Sequence, residues 1–282
     1  MKKHWKKWVL LPVILLLAAY LWPRPLSVSR YTLMSQVAQP IRIVHLSDLH
    51  NAEFGKKNEK LIQLVKEQQP DLILLSGDMV NREEEDIEVV CALIESLRET
   101  APVYYGFGNH ETEWEERWQR SLTEPLESAG ARVVNTAYVD TVINETPLRI
   151  GGYMGYYRLP GMFRIDDGTK ASEAAFAELF EDTERLKLLV NHIPTTWVDW
   201  GSLDKYPVDV VFSGHYHGGM IRIPLVERGL FAPNVGWLPR RTKGLYTGEK
   251  AACVLSAGLG SEYPVPRIHN PPECVVVELL PE

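Results

Sequence analysis

The sequence predicts an α/β layered fold for most of this chain of 282 residues. Short apolar segments of strand length alternate with segments whose apolar residues recur at helical spacing, and this alternation continues almost to the last residue. Hydrophobic residues make up 45% of the chain, which is enough for a sizeable core. Strands that alternate with helices form sheets covered by helices, so we expect one layered catalytic domain.

The predicted elements follow one another without a repeat. Ile41 to Leu46 is a compact apolar strand, and Lys57 to Gln69 has helical periodicity that stops at Pro70. The next elements are a strand at 72–75, an acidic helix at 83–99, a strand at 103–106 and helix-like residues from 114 to 126. The second half has strands near residues 149, 188 and 210, an Ala- and Glu-rich helix at 171–184, and a last strand at 275–279.

The N-terminus predicts attachment to a membrane. Four lysines among the first seven residues precede an uncharged apolar run from Trp8 to Pro23, somewhat shorter than the usual span of about 20 residues. No Ala-x-Ala site follows, although Ser27 to Ser29 is a weak cleavage candidate. We predict a membrane helix in residues 1–23, as an anchor or uncleaved signal, and a cleaved signal peptide is the alternative. Residues 24–39 are expected to be a linker and residues 40–282 the catalytic domain.

The distribution of charge and cysteine narrows the function. Lysines before the span predict a single-pass protein of the cell membrane with its catalytic domain on the extracytoplasmic side. A net charge of −7 argues against a nucleic-acid partner, because binding to a phosphate backbone usually requires a basic surface. Cys91, Cys253 and Cys274 lack the spacing of a thiolate metal site, and we expect small buried residues there.

Polar residues of the metal-binding type follow five of the predicted strands. In chain order they are Asp48 with His50, Asp78, Asn109 with His110 and Glu111, His192, and His215 with His217. The carboxyl ends of strands in α/β sheets form the edge where ligands bind. Each motif alone is a weak signal, since aspartate and histidine are common after strands. Five such motifs at equivalent strand ends predict one shared site.

The predicted ligand set suits divalent cations. Imidazole nitrogens with carboxylate and amide oxygens fit manganese, iron or zinc, and no thiolate is needed. One carboxylate can bridge two such ions that lie about 3.5–4 Å apart. A water molecule bound to these ions has a pKa of about 7. Attack of this metal-bound hydroxide on phosphorus needs a proton for the leaving oxygen, which an additional histidine can supply. The residues therefore predict a binuclear phosphoester hydrolase.

The motifs, in this order, resemble the calcineurin-like metallophosphoesterase family from about Ile41 to Glu278. Ser47 to His50, the Gly-His-x-His-Gly-Gly run from Gly214, and Gly258 to Gly260 are similar to the membrane-associated bacterial branch of that family, which includes enzymes acting on lipid-linked substrates. The resemblance implies a four-layer α/β/β/α sandwich of the metallo-dependent phosphatase type, with two sheets inside and helices outside.

The resemblance also implies a role for each motif residue. Two divalent ions would be held by Asp48, His50 and His217 on one side, by Asn109, His192 and His215 on the other, and by Asp78 between them. His110 would contact the phosphate and protonate the leaving group. Both ions are expected to be manganese, zinc or iron.

Three positions depart from the pattern of many relatives. Asn81 stands where an aspartate often supports the catalytic histidine, so Glu111 is a candidate for that support. Tyr216 replaces a small threonine between the last two histidines, and Met220 stands where glutamine is frequent. These changes concern the proton donor and the substrate rather than the metal ligands.

Other conspicuous residues have ordinary explanations. We expect a structural hydrogen bond for His45, a surface salt bridge for Arg267 near His269 rather than a phosphate contact, and a solvated loop for Arg240, Arg241 and Lys243 rather than a site for an anionic head group. The aromatic segment from Gly152 to Gly168 is equally consistent with an apolar rim for a lipid and with packing over the sheet edge.

The predicted function is hydrolysis of phosphodiester, phosphomonoester or pyrophosphate bonds in a phosphorylated small-molecule or lipid-linked substrate. One alternative is a phosphodiesterase for soluble extracellular substrates. The other is a membrane-tethered metal-binding protein without significant catalysis, which the presence of His110 beside a complete ligand set disfavours.

Overall fold

The computed structural model of the protein describes residues 25–157, 176–224, 226, 228–261 and 266–282. The predicted N-terminal membrane helix lies outside these ranges and stays a prediction. Among the described residues, no helix is both long and apolar enough to cross a membrane.

The first sheet has six strands and carries the amino-terminal motifs. Its strands, in spatial order, are β1 (Ser27–Ser35), β16 (Glu273–Pro281), β2 (Ile41–Leu46), β3 (Leu72–Ser76), β4 (Val103–Gly106) and β5 (Ala131–Val133). Strands β2 to β5 are parallel, whereas β16 is antiparallel to β2. The carboxyl ends of β2, β3 and β4 therefore lie at one edge.

The second sheet also has six strands and carries the later motifs. Its spatial order is β14 (Gly244–Thr247), β15 (Ala252–Leu255), β9 (Val210–Ser213), β8 (Leu186–Asn191), β7 (Thr146–Tyr153) and β6 (Ala137–Ile143). The four central strands are parallel and the two outer ones antiparallel. Two small hairpins follow β9, namely β10 (Arg222–Ile223) with β11 (Arg228–Gly229), and β12 (Phe231–Ala232) with β13 (Gly236–Trp237).

Alternation of side chains along the strands builds the layers. In β2, Ile43 faces the second sheet, whereas Val44 faces the helices Glu59–Gln68, Glu88–Leu97, Asn109–Trp118 and Thr123–Ala129. On the outer face of the second sheet, Phe180 in helical residues 176–181 and Trp197 in the helix Thr195–Val198 join one buried cluster. The α/β prediction and the four-layer sandwich are therefore confirmed for the described residues.

The predicted linker is wrong for most of its length. Ser27–Ser35 form β1, which pairs in parallel with β16 along its whole length. Side chains of this edge strand point alternately to opposite faces, and Tyr31 and Leu33 pack against the core between the sheets. Ser, Arg and Thr separate the apolar residues of β1. A stretch in which polar residues are interspersed in this way looks like a linker in the sequence.

Two predicted helix boundaries also differ. The acidic helix begins at Glu88 rather than near residue 83, because the Asp86 side chain accepts the Glu88 backbone N–H at 2.8 Å and residues 83–87 form a loop. The helix-like stretch from 114 to 126 belongs to two helices, Asn109–Trp118 and Thr123–Ala129, separated at Gln119 by a left-handed backbone.

Candidate metal centre

The two sheets bring all five predicted motifs to one edge of the sandwich. The motif residues follow the carboxyl ends of β2, β3 and β4 in the first sheet and of β8 and β9 in the second. Ligand-type atoms within 4.8 Å of one another form three overlapping groups, which are Asp48 with His50 and His217, His50 with Asp78 and His110, and Asp78 with His192 and His215. All seven side chains are buried. The first group contains the three residues that the resemblance assigns to one ion, and the last contains His192 and His215 of the other half. The middle group includes His110, which the resemblance does not make a ligand.

Several of these atoms are buried without a hydrogen-bonding partner. They are one carboxylate oxygen of Asp48, both ring nitrogens of His50 and the amide oxygen of Asn109. Buried polar atoms are nearly always paired, because an unpaired one costs about 1–3 kcal/mol. Oxygen and imidazole nitrogen are ligands of divalent transition metals. The residues present therefore fit a pair of divalent cations.

The backbone is strained at most of the predicted ligands. Left-handed φ angles occur at Asp48 (52°), His50 (48°), Asp78 (51°), His215 (70°) and His217 (46°). A residue other than glycine in this conformation costs about 1–3 kcal/mol and persists only where its surroundings hold it. Such strain concentrates at functional sites, which agrees with a ligand role for these residues.

Glycines allow the backbone to approach the two aspartates. A Cβ atom on Gly108 would overlap Oδ1 of Asp78, and a Cβ atom on Gly214 would overlap Oδ2 of Asp48. Any side chain at these positions would displace the carboxylate.

Hydrogen bonds that cross between the sheets orient the ligands. The Nδ1 atom of His192 lies 2.7 Å from the carbonyl oxygen of Ser76, and the Nε2 atom lies 3.0 Å from Oδ2 of Asp78. The backbone N–H of His215 donates to Oδ1 of Asp48 at 2.9 Å. A proton on Nδ1 directs the lone pair of neutral His192 towards the site, as metal-ligating histidines usually require.

The electrostatics of the site favour a bound cation. Burial alone would lower the pKa of His192. The negative charge of Asp78 and the hydrogen bond between the two side chains raise this pKa to about 9. Burial opposes ionisation of Asp78, but the charge of His192 holds the pKa of Asp78 well below its usual value. Burial lowers the pKa of His50 well below its usual value and that of His215 to about 3. Neutral His50 and His215 and the ionised carboxylate of Asp78 have the protonation states that metal ligands need, whereas His192 must release a proton before it can bind a metal.

His110 lies beside the predicted ligands on the first turn of the helix after β4. Its backbone N–H donates to Oδ1 of Asp78 at 2.8 Å, and its ring lies 4.4 Å from that of His50. The Nδ1 atom accepts the backbone N–H of Arg82 at 3.3 Å, so the proton of the neutral ring lies on Nε2. Asn81, which stands where many relatives have a supporting aspartate, donates its amide to Glu84 at 2.9 Å.

Glu111 has a different function from the predicted support of His110. Its fully buried carboxylate accepts the backbone N–H groups of Asp78, Met79, Val80 and Gly108 and the hydroxyl of Tyr105. Burial and the charge of Asp78 raise the pKa of Glu111, whereas these hydrogen bonds lower it. The side chain thus joins the loops after β3 and β4. Spacing alone could not reveal this role, because all but two of the partners are backbone groups outside its own helix.

Tyr216 and Met220, the other two positions that depart from the family pattern, do not crowd the site. The buried hydroxyl of Tyr216 bonds to Thr195 at 2.7 Å and to Asp199 at 2.6 Å. Met220 is buried and has a left-handed backbone, and the amide of Asn270 donates to its carbonyl oxygen.

Three further expectations have clear outcomes. The structural hydrogen bond of His45 is confirmed, since Nε2 lies 2.6 Å from Oγ of Ser76. The surface salt bridge of Arg267 is wrong, because the guanidinium is buried and donates to the carbonyl oxygens of Ala257 and Gly260. Cys253 and Cys274 are buried as expected, and Cys91 is half-buried.

Asn234 is a site neighbour that the sequence did not indicate. Its Nδ2 atom lies 2.9 Å from Nε2 of His215. The residue stands in the turn between β12 and β13, far from any motif in the chain, so only the path of the loop brings it to the site.

A four-layer α/β sandwich with buried carboxylates and imidazoles at the edge shared by both sheets is the arrangement of a metal-dependent phosphoester hydrolase. The family model described as calcineurin-like phosphoesterase matches residues 41–219, well over half of the chain, and the chain belongs to that family. The predicted family and enzyme class are thereby confirmed. The assignment of individual residues to each ion stays a prediction.

Three curated relatives match most of the chain. Phosphodiesterase YaeI of Escherichia coli is 30% identical over 247 residues, which cover 86% of this chain and 83% of the relative. The uncharacterized metallophosphoesterase YkoQ of Bacillus subtilis is 28% identical, with 83% and 81% covered. The uncharacterized metallophosphoesterase Cj0846 of Campylobacter jejuni is 27% identical, and the match covers 85% of this chain but only 59% of that longer protein.

Proposed function

We propose that this protein hydrolyses a phosphodiester bond with the help of two divalent cations, which are manganese, zinc or iron. The observation that carries the proposal is the set of buried, unpartnered ligand atoms where the two sheets meet. The phosphodiester class is taken from the printed name of the Escherichia coli relative. Phosphomonoesters and pyrophosphates are the neighbouring substrate classes.

In this proposal each half of the site holds one ion. Asp48, His50 and His217 hold the first ion, Asn109, His192 and His215 hold the second, and Asp78 is shared. Such a pair of ions stabilises charge on the phosphoryl oxygens and activates a water molecule as the nucleophile. The neutral amide of Asn109 adds no negative charge, which leaves positive charge available for an anionic substrate.

His110 provides the proton in this proposal. Its Nδ1 atom accepts the Arg82 backbone N–H, so in this proposal Nε2 carries the proton that goes to the leaving oxygen. Its backbone bond to Asp78 keeps the ring beside the shared ligand. His110 therefore acts as a general acid rather than as a metal ligand.

Replacement of His110 tests this role. We expect His110→Asn to lower turnover of a phosphodiester whose leaving group is a simple alcohol by about 10²–10⁴-fold while metal content stays constant, since general acid catalysis contributes about that much and such a leaving oxygen needs a proton. His269→Asn is the matched control, because His269 is exposed and has a left-handed backbone that asparagine tolerates. Full turnover by the His110 variant would exclude the acid role, and a wild-type protein that binds metal without turnover would support the alternative of a binding protein.

We further propose a lipid-linked substrate at the outer face of the membrane. The support is the lysine-flanked apolar run at the N-terminus and the similarity of the motifs to the membrane-associated branch. A panel of a soluble diester, a soluble monoester and a long-chain alkyl pyrophosphate tests the substrate. Protease is added to cells whose outer envelope is permeabilised but whose cytoplasmic membrane is intact, and to lysed cells. Protection of the catalytic domain until the cells are lysed would contradict a location outside the membrane.

A further inference from the structure

The hairpin of β12 and β13 exposes four large apolar side chains. The exposed fractions are 37% for Phe231, 38% for Val235, 73% for Trp237 and 49% for Leu238. A single exposed apolar residue is ordinary, but four within eight consecutive residues form a patch of the kind found at interaction sites. We refer to these four residues as the hairpin patch.

The hairpin patch is held in a defined conformation. Phe231 and Trp237 are partners in the strand register, and their ring centroids are 5.5 Å apart in an edge-to-face arrangement. The backbone N–H of Leu238 donates to Leu230 at 2.9 Å, and that of Leu230 donates to Gly219 at 3.0 Å. The hairpin is thus attached to the segment that follows His217, and its apolar side chains are displayed on an ordered support.

The hairpin patch borders the metal centre. Asn234 lies in the turn of the same hairpin, and its amide is 2.9 Å from the ring of His215. Whatever binds the hairpin patch therefore comes close to His215.

The surroundings of the hairpin patch are basic in an acidic protein. Residues 221–247 contain five Lys or Arg and one acidic residue, although the whole chain has a net charge of −7. Lys243 pairs with the buried carboxylate of Glu273 at 2.7 Å, but Arg240 and Arg241 follow the patch directly and are exposed. Exposed Trp and Leu beside Arg match the boundary between the acyl chains and the anionic head groups of a bilayer.

We propose that the hairpin patch docks on the surface of an anionic lipid bilayer, with Trp237 and Leu238 inserted at the level of the head groups and Arg240 on their phosphates. Docking would bring the His215 side of the metal centre close to the membrane surface. This contact requires no turnover, so it is separate from the proposed hydrolysis and can be tested without a substrate.

A spin label on the hairpin patch tests docking in the full-length chain. Trp237→Cys is labelled in a Cys91→Ala background, because Cys253 and Cys274 are buried. Val142→Cys is the matched control, since Val142 is 60% exposed but lies near the amino end of β7, at the opposite edge from the metal centre. Collision of the label with dissolved oxygen and with a water-soluble nickel complex is measured on phosphatidylglycerol vesicles and on phosphatidylcholine vesicles.

Docking predicts opposite results at the two positions. On phosphatidylglycerol, the label at 237 should favour oxygen over nickel and the label at 142 should favour nickel, whether or not the N-terminus anchors the chain. Arg240→Ala should lower the ratio of docked to undocked label at 237 by about 5-fold, since one cationic residue near an anionic bilayer contributes about that much. A water-exposed label at 237 on anionic vesicles overturns the proposal. Equal insertion of both labels also overturns it, as does protection of position 237 without vesicles, which would indicate a second copy of the chain.

Discussion

The Glu111 carboxylate accepts a hydrogen bond from the backbone N–H of Asp78 at 2.8 Å. A buried acid on the helix after β4 thereby holds the loop after β3, which presents the predicted bridging ligand. The same carboxylate accepts the N–H of Gly108 at 2.7 Å, just before Asn109. The positions of two neighbouring ligands therefore depend on an acid that is not itself among the predicted ligands.

Replacement of Glu111 by Gln should weaken both the fold and the site. Glutamine keeps the shape but turns an amide NH₂ group towards backbone N–H donors, and a buried unpaired donor costs about 1–3 kcal/mol. We expect the free energy of unfolding of the metal-stripped protein to fall by about 2–3 kcal/mol in urea denaturation. Glu116→Gln on the exposed face of the same helix is the control, and equal stability of the two variants would contradict the role of Glu111.

Gly108→Ala should reduce metal binding. The new Cβ atom would overlap Oδ1 of Asp78, so the carboxylate or the loop must move. We expect metal affinity to fall by at least about 10-fold, as it does when the support of a ligand is removed. Gly155→Ala is the matched control, since its Cβ atom would meet only the Tyr153 ring at 3.9 Å. The bound metal is measured by elemental analysis after equilibrium dialysis, and the same content in both variants would refute the prediction.

His45 should make the protein less stable in mild acid. Burial lowers the pKa of His45 to about 3, against 6.5 for the unfolded chain. Between these values the unfolded state binds a proton that the folded state does not, so stability falls as the pH falls below 6.5. When the pH is lowered from about 7 to about 5.5, we expect the free energy of unfolding of His45→Gln to fall by about 1 kcal/mol less than that of the wild type. Urea unfolding at both pH values measures this, with His269→Asn as control, and an unchanged pH dependence would exclude the effect.

Removal of β1 should destabilise the domain. A chain that begins at residue 40 lacks the strand that pairs with β16 and loses the packing of Tyr31 and Leu33. We expect the free energy of unfolding to fall by about 3 kcal/mol or more compared with a chain that begins at residue 25, because each buried apolar side chain contributes about 1.5–3 kcal/mol. Matching denaturation curves for the two chains would show that residues 25–39 act only as a linker.

Much of the fold was predictable because its signals are local. Ile41–Leu46 and Val103–Gly106 are mostly buried strands rich in apolar residues, and their predicted bounds are those of the structure. The edge strand β1 was missed because three of its nine residues are exposed and five are Ser, Thr or Arg, so its composition resembles that of a loop. The four strands β10 to β13 have two residues each, which is too few for a periodic pattern of apolar residues to appear.

The sequence by itself predicted which side chains come together at the candidate metal centre. Each motif follows an apolar strand, and parallel strands place their carboxyl ends at one edge, so Asp48, Asp78 and His192 could be grouped before any coordinates were known. Only the tertiary structure decided what holds them there. The bonds from His192 to Ser76 and from His215 to Asp48 cross between two sheets, and Asn234 reaches His215 from a distant hairpin. Contacts of this kind depend on how the layers are stacked, which no local pattern of residues encodes.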